Sequence, residues 1–386
     1  MKHRITGFGI GPPRRDRDSL SLVQILRALA ALAVALDHLA FEMARQFNWQ
    51  AAASPFSAGS AGVDVFFVIS GFVIVYVSEP LFGKPWAPAY FLARRLARIV
   101  PLYWSTTAIV LLDDLMRHVD LAAANLSLAS VAASFYFFPY PRPGGQLAPI
   151  FSIGWTLNYE LFFYSLFSVA ILAARGKAVL AVVILFAALV TIGRLAPMPT
   201  ALAFWSDPIT LEFAFGMLLA LAFRAGWRCP TWFSCALIAA GVGAFLLTLQ
   251  GGAIGLPRVV SWGLPAFCIL AGVLFLRGPT GNHRVANAFC LLGNASYALY
   301  LVHPFVFVFP RRLLPDVATT VSSPALYGLL LLGCSIAAAI LVHLTFEKPT
   351  TQMLRRGVSH ALDAVRIRLL LSRRGSVAAT TASGDE

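Results

Sequence analysis

An arginine and a histidine lie eleven positions apart in the first apolar segment of the chain. Arg27 and His38 both belong to LSLVQILRALAALAVALDHLAF. Eleven residues at about 100° each complete roughly three turns of helix, so the two side chains share one face, about 16 Å apart along the axis. An imidazole in such a place can act as a general base. The alternative is a topogenic Arg27 and a His38 that hydrogen bonds to a neighbouring helix.

Two carboxylates in other apolar segments could orient this imidazole. Glu160 lies in GWTLNYELFFY, where an unpaired carboxylate is costly. We expect Glu160 in the outer half of the membrane at the depth of His38, because a Glu–His pair orients an imidazole and stabilises its charge. Asp64 begins a second apolar helix and is a weaker candidate for the same role, or a helix cap. Asp37 points about 100° away from His38, which indicates an interfacial residue or a partner for another helix instead of a catalytic group.

A pair of arginines opens the third apolar segment, in FLARRLARIVPLYW. Arg95 and Arg98 are three residues apart, one above the other on a helix, and their guanidinium groups could grip a phosphate with forked donors. Arg94 lies beside them. The alternative is ordinary anchoring of a helix end by positive charge at the cytoplasmic face.

A second histidine lies in a later apolar segment, NASYALYLVHPFVF. His303 is expected in the outer half, with Ser296 and Tyr297 nearer the inner side. Pro304 has no backbone N–H and predicts a break in the helix at that point.

These side chains must be positioned by membrane helices. The chain has 386 residues, of which 59% are hydrophobic and 12% charged, whereas soluble domains are about a quarter charged. Apolar blocks of about 20 residues match the thickness of a bilayer, and helices satisfy their own backbone hydrogen bonds there. The sequence therefore predicts an all-α polytopic integral membrane bundle of about ten transmembrane helices. The predicted spans are 20–42, 61–79, 99–116, 151–174, 178–196, 207–224, 231–249, 256–276, 286–309 and 324–346.

The net charge of +13 does not indicate nucleic acid, because the basic residues lie in short segments between the apolar blocks. With ten spans and both termini in the cytoplasm, Lys and Arg are about threefold more abundant on the inner side than on the outer side. The five cysteines show no metal-ligand spacing and are interpreted as reduced packing residues.

The ten-span topology divides the chain into three parts. Residues 1–19 form a cytoplasmic N-terminal segment, 20–349 the transmembrane domain, and 350–386 a basic cytoplasmic tail that is partly disordered. The stretch 121–139 is apolar but contains Asn125 and several small residues, and it is interpreted as a re-entrant or interfacial segment.

Six motifs together resemble the acyltransferase-3 family of membrane O-acyltransferases, especially bacterial exopolysaccharide O-acetyltransferases. Each motif is modest, but they occur in order over about 330 residues. They are Arg27 with His38, GVDVFFVISGF (62–72), Arg95-Leu-Ala-Arg98 before Ile-Val-Pro101, WTLNYELFFY (155–164), SYALYLVHP (296–304) and FEKP (346–349).

The resemblance implies an enzyme of the bacterial inner membrane. It would move an acyl group, usually acetyl, from acyl-CoA to a hydroxyl of a glycan, a lipid-linked sugar or a sugar-bearing natural product. In similar proteins the first-helix histidine is catalytic, which maps onto His38, and the arginines that map onto Arg27, Arg95 and Arg98 are associated with the acyl donor. Residues expected to support the site or the acceptor are Asp64, Ser70, Trp155, Tyr297 and His303.

The predicted mechanism places the phosphates of acyl-CoA near the three arginines and the acyl thioester near His38. His38 then removes the proton of the acceptor hydroxyl, with Glu160 orienting the ring; a transient acyl-His38 intermediate is an open alternative. No metal is required. A transporter or flippase for lipid-linked sugars is the other function that would place ionisable groups inside a helical bundle.

Overall fold

A computed structural model describes residues 14–47, 57–117, 126–142, 145–249, 256–276, 284–313 and 323–360. Within these ranges the protein is helical, and its one β pairing is an isolated antiparallel bridge between Pro141 and Leu147. The all-α prediction is confirmed.

Fourteen α-helices are numbered here in chain order within the described ranges. They are α1 Arg14–Gln46, α2 Gly62–Val77, α3 Ala87–Arg117, α4 Leu128–Phe135, α5 Trp155–Ala170, α6 Arg175–Leu195, α7 Thr200–Trp205, α8 Leu211–Arg224, α9 Thr231–Leu249, α10 Leu264–Phe275, α11 Arg284–Asn294, α12 Ser296–Leu313, α13 Pro324–Val342 and α14 348–360. Two π-helical turns, Val259–Gly263 and His343–Glu347, lead into α10 and α14. A 3-10 turn, Ser57–Ala61, precedes α2.

Six helical segments within the described ranges are long and apolar enough to cross a membrane. They are Ser19–Gln46, Gly59–Val77, Ala87–Arg117, Arg175–Leu195, Thr231–Thr248 and Pro324–His360. The pair α11–α12 would be a seventh span, bent by 73°. Helices occur at all ten predicted positions, but those at α5, α8 and α10 are shorter than a full crossing, so the count of ten stays a prediction.

The bend in the ninth predicted span is not at Pro304. Helix α12 runs through that proline without interruption, and the chain turns instead at Ala295, between α11 and α12. The predicted break was therefore wrong. A proline inside a long helix can be accommodated when the surrounding packing holds the helix, and α3 likewise contains Pro101.

Two predicted boundaries differ from the structure. Helix α1 begins at Arg14 instead of residue 20, and helix α14 continues to His360, past the predicted start of the tail at 350. In the stretch 121–139, α4 has eight residues, or about 12 Å of helix, which is too short to cross a bilayer. Residues 1–13, 121–125 and 361–386 lie outside the described ranges.

The chain divides into two compact units, each assembled from two separate stretches. The first unit contains the chain up to Tyr76 together with Leu211–Ile340, and the second contains Val77–Thr210 and the chain from Leu341 onward. In the first unit, α2 and α8 approach so closely that a side chain at Gly71 would meet the backbone of Phe213, and one at Gly216 the backbone of Val68. Small residues permit this contact between membrane helices.

The second unit packs α3 against α5 in antiparallel fashion. A side chain at Gly154, before α5, would collide with the ring of Tyr103, and at the other end the ring of Phe91 contacts those of Tyr164 and Phe167. The π turn His343–Glu347 also packs against α3. The inner arginines of α3 therefore lie beside α5 and the helix that follows this turn.

Candidate active site

Helix α1 presents its Arg27–His38 face to helices α11 and α12 of the same unit. Arg27 contacts Ser296, and His38 contacts His303. Near the start of this contact, a side chain at Gly293 of α11 would meet the backbone of Gln24 of α1, so α1 and α11 approach each other closely there. The polar stripe predicted on α1 therefore faces protein, and it runs parallel to α12.

His38 and His303 are joined by a hydrogen bond between their rings. Nδ1 of His38 lies 2.7 Å from Nε2 of His303, the ring centres are 5.0 Å apart, and the ring planes differ by 14°. Because each nitrogen lies about 1.1 Å from its ring centre, these values require the bond to lie along the line between the centres. The rings are thus nearly coplanar and edge to edge, with good hydrogen-bond geometry.

The surroundings of His303 fix which nitrogen atoms carry protons. Its Nδ1 lies 2.8 Å from the carbonyl oxygen of Leu299, and a carbonyl can only accept, so Nδ1 of His303 carries hydrogen. In the neutral ring, Nε2 of His303 is then an acceptor, and Nδ1 of His38 must donate to it. Neutral His38 consequently has its lone pair on Nε2, the nitrogen on the far side of the ring.

His303 is held rigidly in this position. Its side chain is fully buried, and the rings of Tyr300 and Phe307 pack against it. His38 is half-buried. One imidazole is therefore a fixed acceptor, and the other offers a basic nitrogen beside it.

Arg27 bridges α1 and α12 at the other end of the stripe. Its Nη1 donates to Oε1 of Gln24 over 3.1 Å, and its Nη2 donates to Oγ of Ser296 over 2.9 Å. The guanidinium is half-buried, and the acceptors of both bonds are neutral groups. Tyr297, predicted to support the site, follows Ser296 directly and is half-buried.

A carboxylate network holds the end of α1 that carries His38. Asp37 accepts a hydrogen bond of 2.6 Å from the hydroxyl of Ser60, in the 3-10 turn, which agrees with the predicted role in joining α1 to a neighbour. Asp64 is fully buried, and both of its oxygens accept from Arg258, over 3.0 Å and 2.7 Å. Arg258 also lies over the ring of Trp262, at 4.5 Å. Asp64 thus takes part in a structural ion pair.

The sequence did not single out Arg258 as the partner of Asp64, although a buried carboxylate requires a cation or a hydrogen-bond donor. The sequence feature that could have identified Arg258 is its position at the outer end of the predicted span 256–276. Ser70, also predicted to support the site, is half-buried on α2 beside Gly71, where α2 meets α8.

Glu160 lies in the second unit. Its carboxylate accepts a hydrogen bond from the hydroxyl of Tyr164. It is also within electrostatic range of Arg95. The prediction had separated these two residues by depth, but the antiparallel packing of α3 and α5 brings them to similar levels. The pairing of Glu160 with His38 stays a prediction. The partner that the structure gives to Nδ1 of His38 is His303.

The remaining predicted residues also lie in the second unit. Arg95 and Arg98 are half-buried on α3, and Arg94 beside them donates a hydrogen bond to the hydroxyl of Tyr90. Arg95 lies over the ring of Phe91 at 5.5 Å. Trp155 begins α5 and packs edge-on against the ring of Tyr159.

Comparison with known proteins gives a consistent set of relatives. A family model described as an acyltransferase domain matches residues 22–344. The exopolysaccharide production protein ExoZ of Rhizobium meliloti (strain 1021) is 34% identical over 313 residues, which cover 80% of this chain and 94% of ExoZ. Acyltransferase MdmB of Streptomyces mycarofaciens is 29% identical over 403 residues, covering 91% of this chain and 97% of MdmB.

Peptidoglycan O-acetyltransferase OatA of Listeria monocytogenes is 29% identical over 125 residues, which cover 32% of this chain and 18% of OatA. No solved structure matches the chain.

Proposed function

Because this chain belongs to the acyltransferase-3 family, we propose that it is a membrane O-acyltransferase in which His38 is the general base. The observation that carries this assignment is the ring-to-ring hydrogen bond between His38 and His303. It leaves Nε2 of His38 as a basic nitrogen of defined orientation. General-base catalysis requires such a fixed and correctly protonated nitrogen.

The reaction assigned to this nitrogen is the attack of a hydroxyl on a thioester. Nε2 of His38 removes the proton of the acceptor hydroxyl while the hydroxyl oxygen bonds to the thioester carbon. The tetrahedral intermediate then collapses, the carbon–sulfur bond breaks, and the proton on His38 passes to the leaving thiolate. During the step, the N–H of the charged His38 ring donates to the neutral Nε2 of His303, and hydrogen bonds of charged groups are the stronger kind.

We propose acyl-CoA as the donor and acetyl as the acyl group. Arg27, Arg95 and Arg98 are assigned to donor binding, because guanidinium groups bind phosphates with forked, permanently charged donors. Arg27 lies about 16 Å along α1 from His38, a distance that an extended pantetheine arm can cover. Glu160 is retained as a residue that supports catalysis, and its hydrogen bond from Tyr164 is the contact through which it is held.

The acceptor in this proposal is a hydroxyl of a glycan, a lipid-linked sugar or a sugar-bearing natural product. The relatives support this class, since ExoZ is an exopolysaccharide production protein and OatA a peptidoglycan O-acetyltransferase. Asp64, Ser70, Trp155, Tyr297 and His303 are assigned to the framework of the site or to the acceptor.

The proposed topology is ten spans in the inner membrane with both termini in the cytoplasm. The parallel contact of α1 with α12 supports it, because two membrane helices that run in the same direction are separated by an odd number of crossings. The predicted spans place seven crossings between them. A further crossing within 121–139 would make that number even.

The test is transfer of radiolabelled acetyl from acetyl-CoA to a polysaccharide acceptor by the purified protein in lipid nanodiscs. The decisive variant is His38→Asn, because the asparagine N–H can still donate to His303 while the basic nitrogen is lost. We expect the rate to fall about 10²- to 10⁴-fold, the usual contribution of a general base. The variant should insert and elute as the unmodified protein does.

Arg45→Gln is the matched control, since Arg45 is an exposed residue of the same helix. Acyl transfer by His38→Asn at the rate of the unmodified protein would show that His38 is not the general base.

A further inference from the structure

Four guanidinium groups gather within the second unit, three of them from α3 and one from α14. Arg94, Arg95 and Arg98 belong to α3, and Arg355 belongs to α14. Arg355 lies within electrostatic range of all three. The π turn before α14 packs against α3, which explains how a residue some 260 positions away in the sequence reaches this group. These four residues are called the arginine cluster below.

The arginine cluster is not neutralised by the described residues around it. None of its four members forms an ion pair with a described carboxylate, and Glu160 is the one carboxylate within electrostatic range of Arg95. No described carboxylate lies within electrostatic range of Arg355, so positive charge exceeds negative charge around Arg95 and Arg355. Like charges at close range repel, so this arrangement is unfavourable until an anion joins it.

Two donors of the cluster also lack hydrogen-bond partners. The Nε atoms of Arg95 and Arg355 are buried, and no acceptor contacts either of them in the described part of the chain. A buried N–H of a charged group without a partner is costly, and such groups are usually paired with protein, water or ligand. Both atoms lie on side chains of the same cluster, which indicates one shared ligand.

We infer that Arg355, together with Arg94, belongs to the phosphate-binding site proposed above for Arg95 and Arg98, and that this arginine cluster binds a polyanion with several negative charges. The chemical class that fits is a nucleotide that carries a diphosphate and a separate phosphomonoester. Single phosphates and carboxylates carry too little charge to balance the surplus. This inference rests on the proposed function, since it describes the charged end of the proposed donor.

The experiment measures binding of CoA, which has the diphosphate and the phosphomonoester, and of dephospho-CoA, which lacks the phosphomonoester. The full chain is used in phosphatidylcholine nanodiscs, in the His38→Asn background, so that no turnover contributes. We expect dephospho-CoA to bind at least about tenfold more weakly than CoA, because charge-assisted hydrogen bonds to the missing group are lost. Arg355→Gln should lower the affinity for CoA by about tenfold or more.

Arg356→Gln is the matched control, because Arg356 is the exposed neighbour of Arg355 on the same helix. It should leave CoA affinity unchanged and keep the salt dependence of binding, whereas Arg355→Gln should make that dependence shallower. Arg355→Lys keeps the charge, so its affinity for CoA should lie between those of Arg355→Gln and Arg356→Gln. Equal losses for Arg355→Gln and Arg356→Gln, or no loss for Arg355→Gln, would overturn the inference.

Anionic lipid is the other source of phosphate at such a cluster. Nanodiscs that contain phosphatidylglycerol test this source. The inference fails, and the cluster binds lipid, if this lipid abolishes CoA binding by the unmodified protein while Arg355→Gln has no effect on CoA binding in phosphatidylcholine.

The outcome for the proposed function is separate. CoA binding through Arg355 without any acyl transfer would refute the function alone, and transfer from acetyl-CoA with an unchanged KM in Arg355→Gln would refute the inference alone.

Discussion

Nε2 of His303 accepts a hydrogen bond from Nδ1 of His38 in the common plane of the two rings, and Nδ1 of His303 donates to the carbonyl of Leu299. A chain of two hydrogen bonds therefore runs from a backbone carbonyl to the imidazole that we assign as the base. The acceptor in this chain is a neutral, buried ring instead of a carboxylate. It orients His38 and disperses part of its positive charge when His38 takes up a proton.

The first prediction concerns the acceptor at position 303. His303→Leu should lower kcat for acyl transfer by about tenfold to a hundredfold, because losing an orienting hydrogen bond to a group that becomes charged costs about 1.5–3 kcal/mol. His303→Gln should restore much of the rate, since the glutamine oxygen can reach the position of Nε2 and accept. Steady-state kinetics of both variants provide the measurement.

KM for the acyl donor should stay nearly constant in this pair, because His303 acts through His38. Equal kcat values for the Leu and Gln variants would show that the acceptor does not matter.

The second prediction concerns the guanidinium group of Arg27, which donates to two side chains. Arg27→Lys keeps the charge but cannot bridge Gln24 and Ser296 as the planar guanidinium does. We expect KM for acyl-CoA to rise about tenfold, as for the loss of one charge-assisted bond, with a smaller change in kcat. Arg45→Lys on the exposed face of α1 is the control. An Arg27→Lys enzyme with unchanged KM would remove Arg27 from the donor site.

The third prediction is an asymmetry within the Asp64–Arg258 ion pair. The side chain of Asp64 is 0% exposed, whereas that of Arg258 is 32% exposed. Removing the arginine leaves a buried carboxylate, so Arg258→Leu should destabilise the protein by about 3–5 kcal/mol. Asp64→Leu should cost less, because the remaining arginine can reach solvent or headgroups. Thermal unfolding in detergent compares them, and a larger loss for Asp64→Leu would contradict the assignment.

The fourth prediction concerns the contact between α2 and α8. Gly71→Ala forces a methyl group against the backbone of Phe213 and should lower the unfolding temperature clearly, because backbone cannot move aside as a flexible side chain can. Gly333→Ala, on α13, meets nothing within 4 Å and should be neutral or slightly stabilising through helix propensity. Similar shifts for both variants would mean that α2 and α8 are less tightly packed than described.

The sequence by itself determined the helical class, the positions of the apolar segments and the shared face of Arg27 and His38. These features are local: hydropathy within about 20 residues reports membrane helices, and the helical repeat orders side chains along one helix. The ordered motifs also determined the family. The bend between α11 and α12 and the short helices α5, α8 and α10 escaped prediction, because hydropathy windows register apolar residues and not helix geometry.

Only the tertiary structure decided which residues meet. His38 contacts His303 across 265 positions, Asp64 contacts Arg258 across 194, and Glu160 contacts Tyr164 on its own helix. In a soluble protein the apolar face of a helix would have indicated the direction of its partners. In a membrane both the lipid-facing and the buried faces are apolar, so sequence pattern carries little information about which helix faces which.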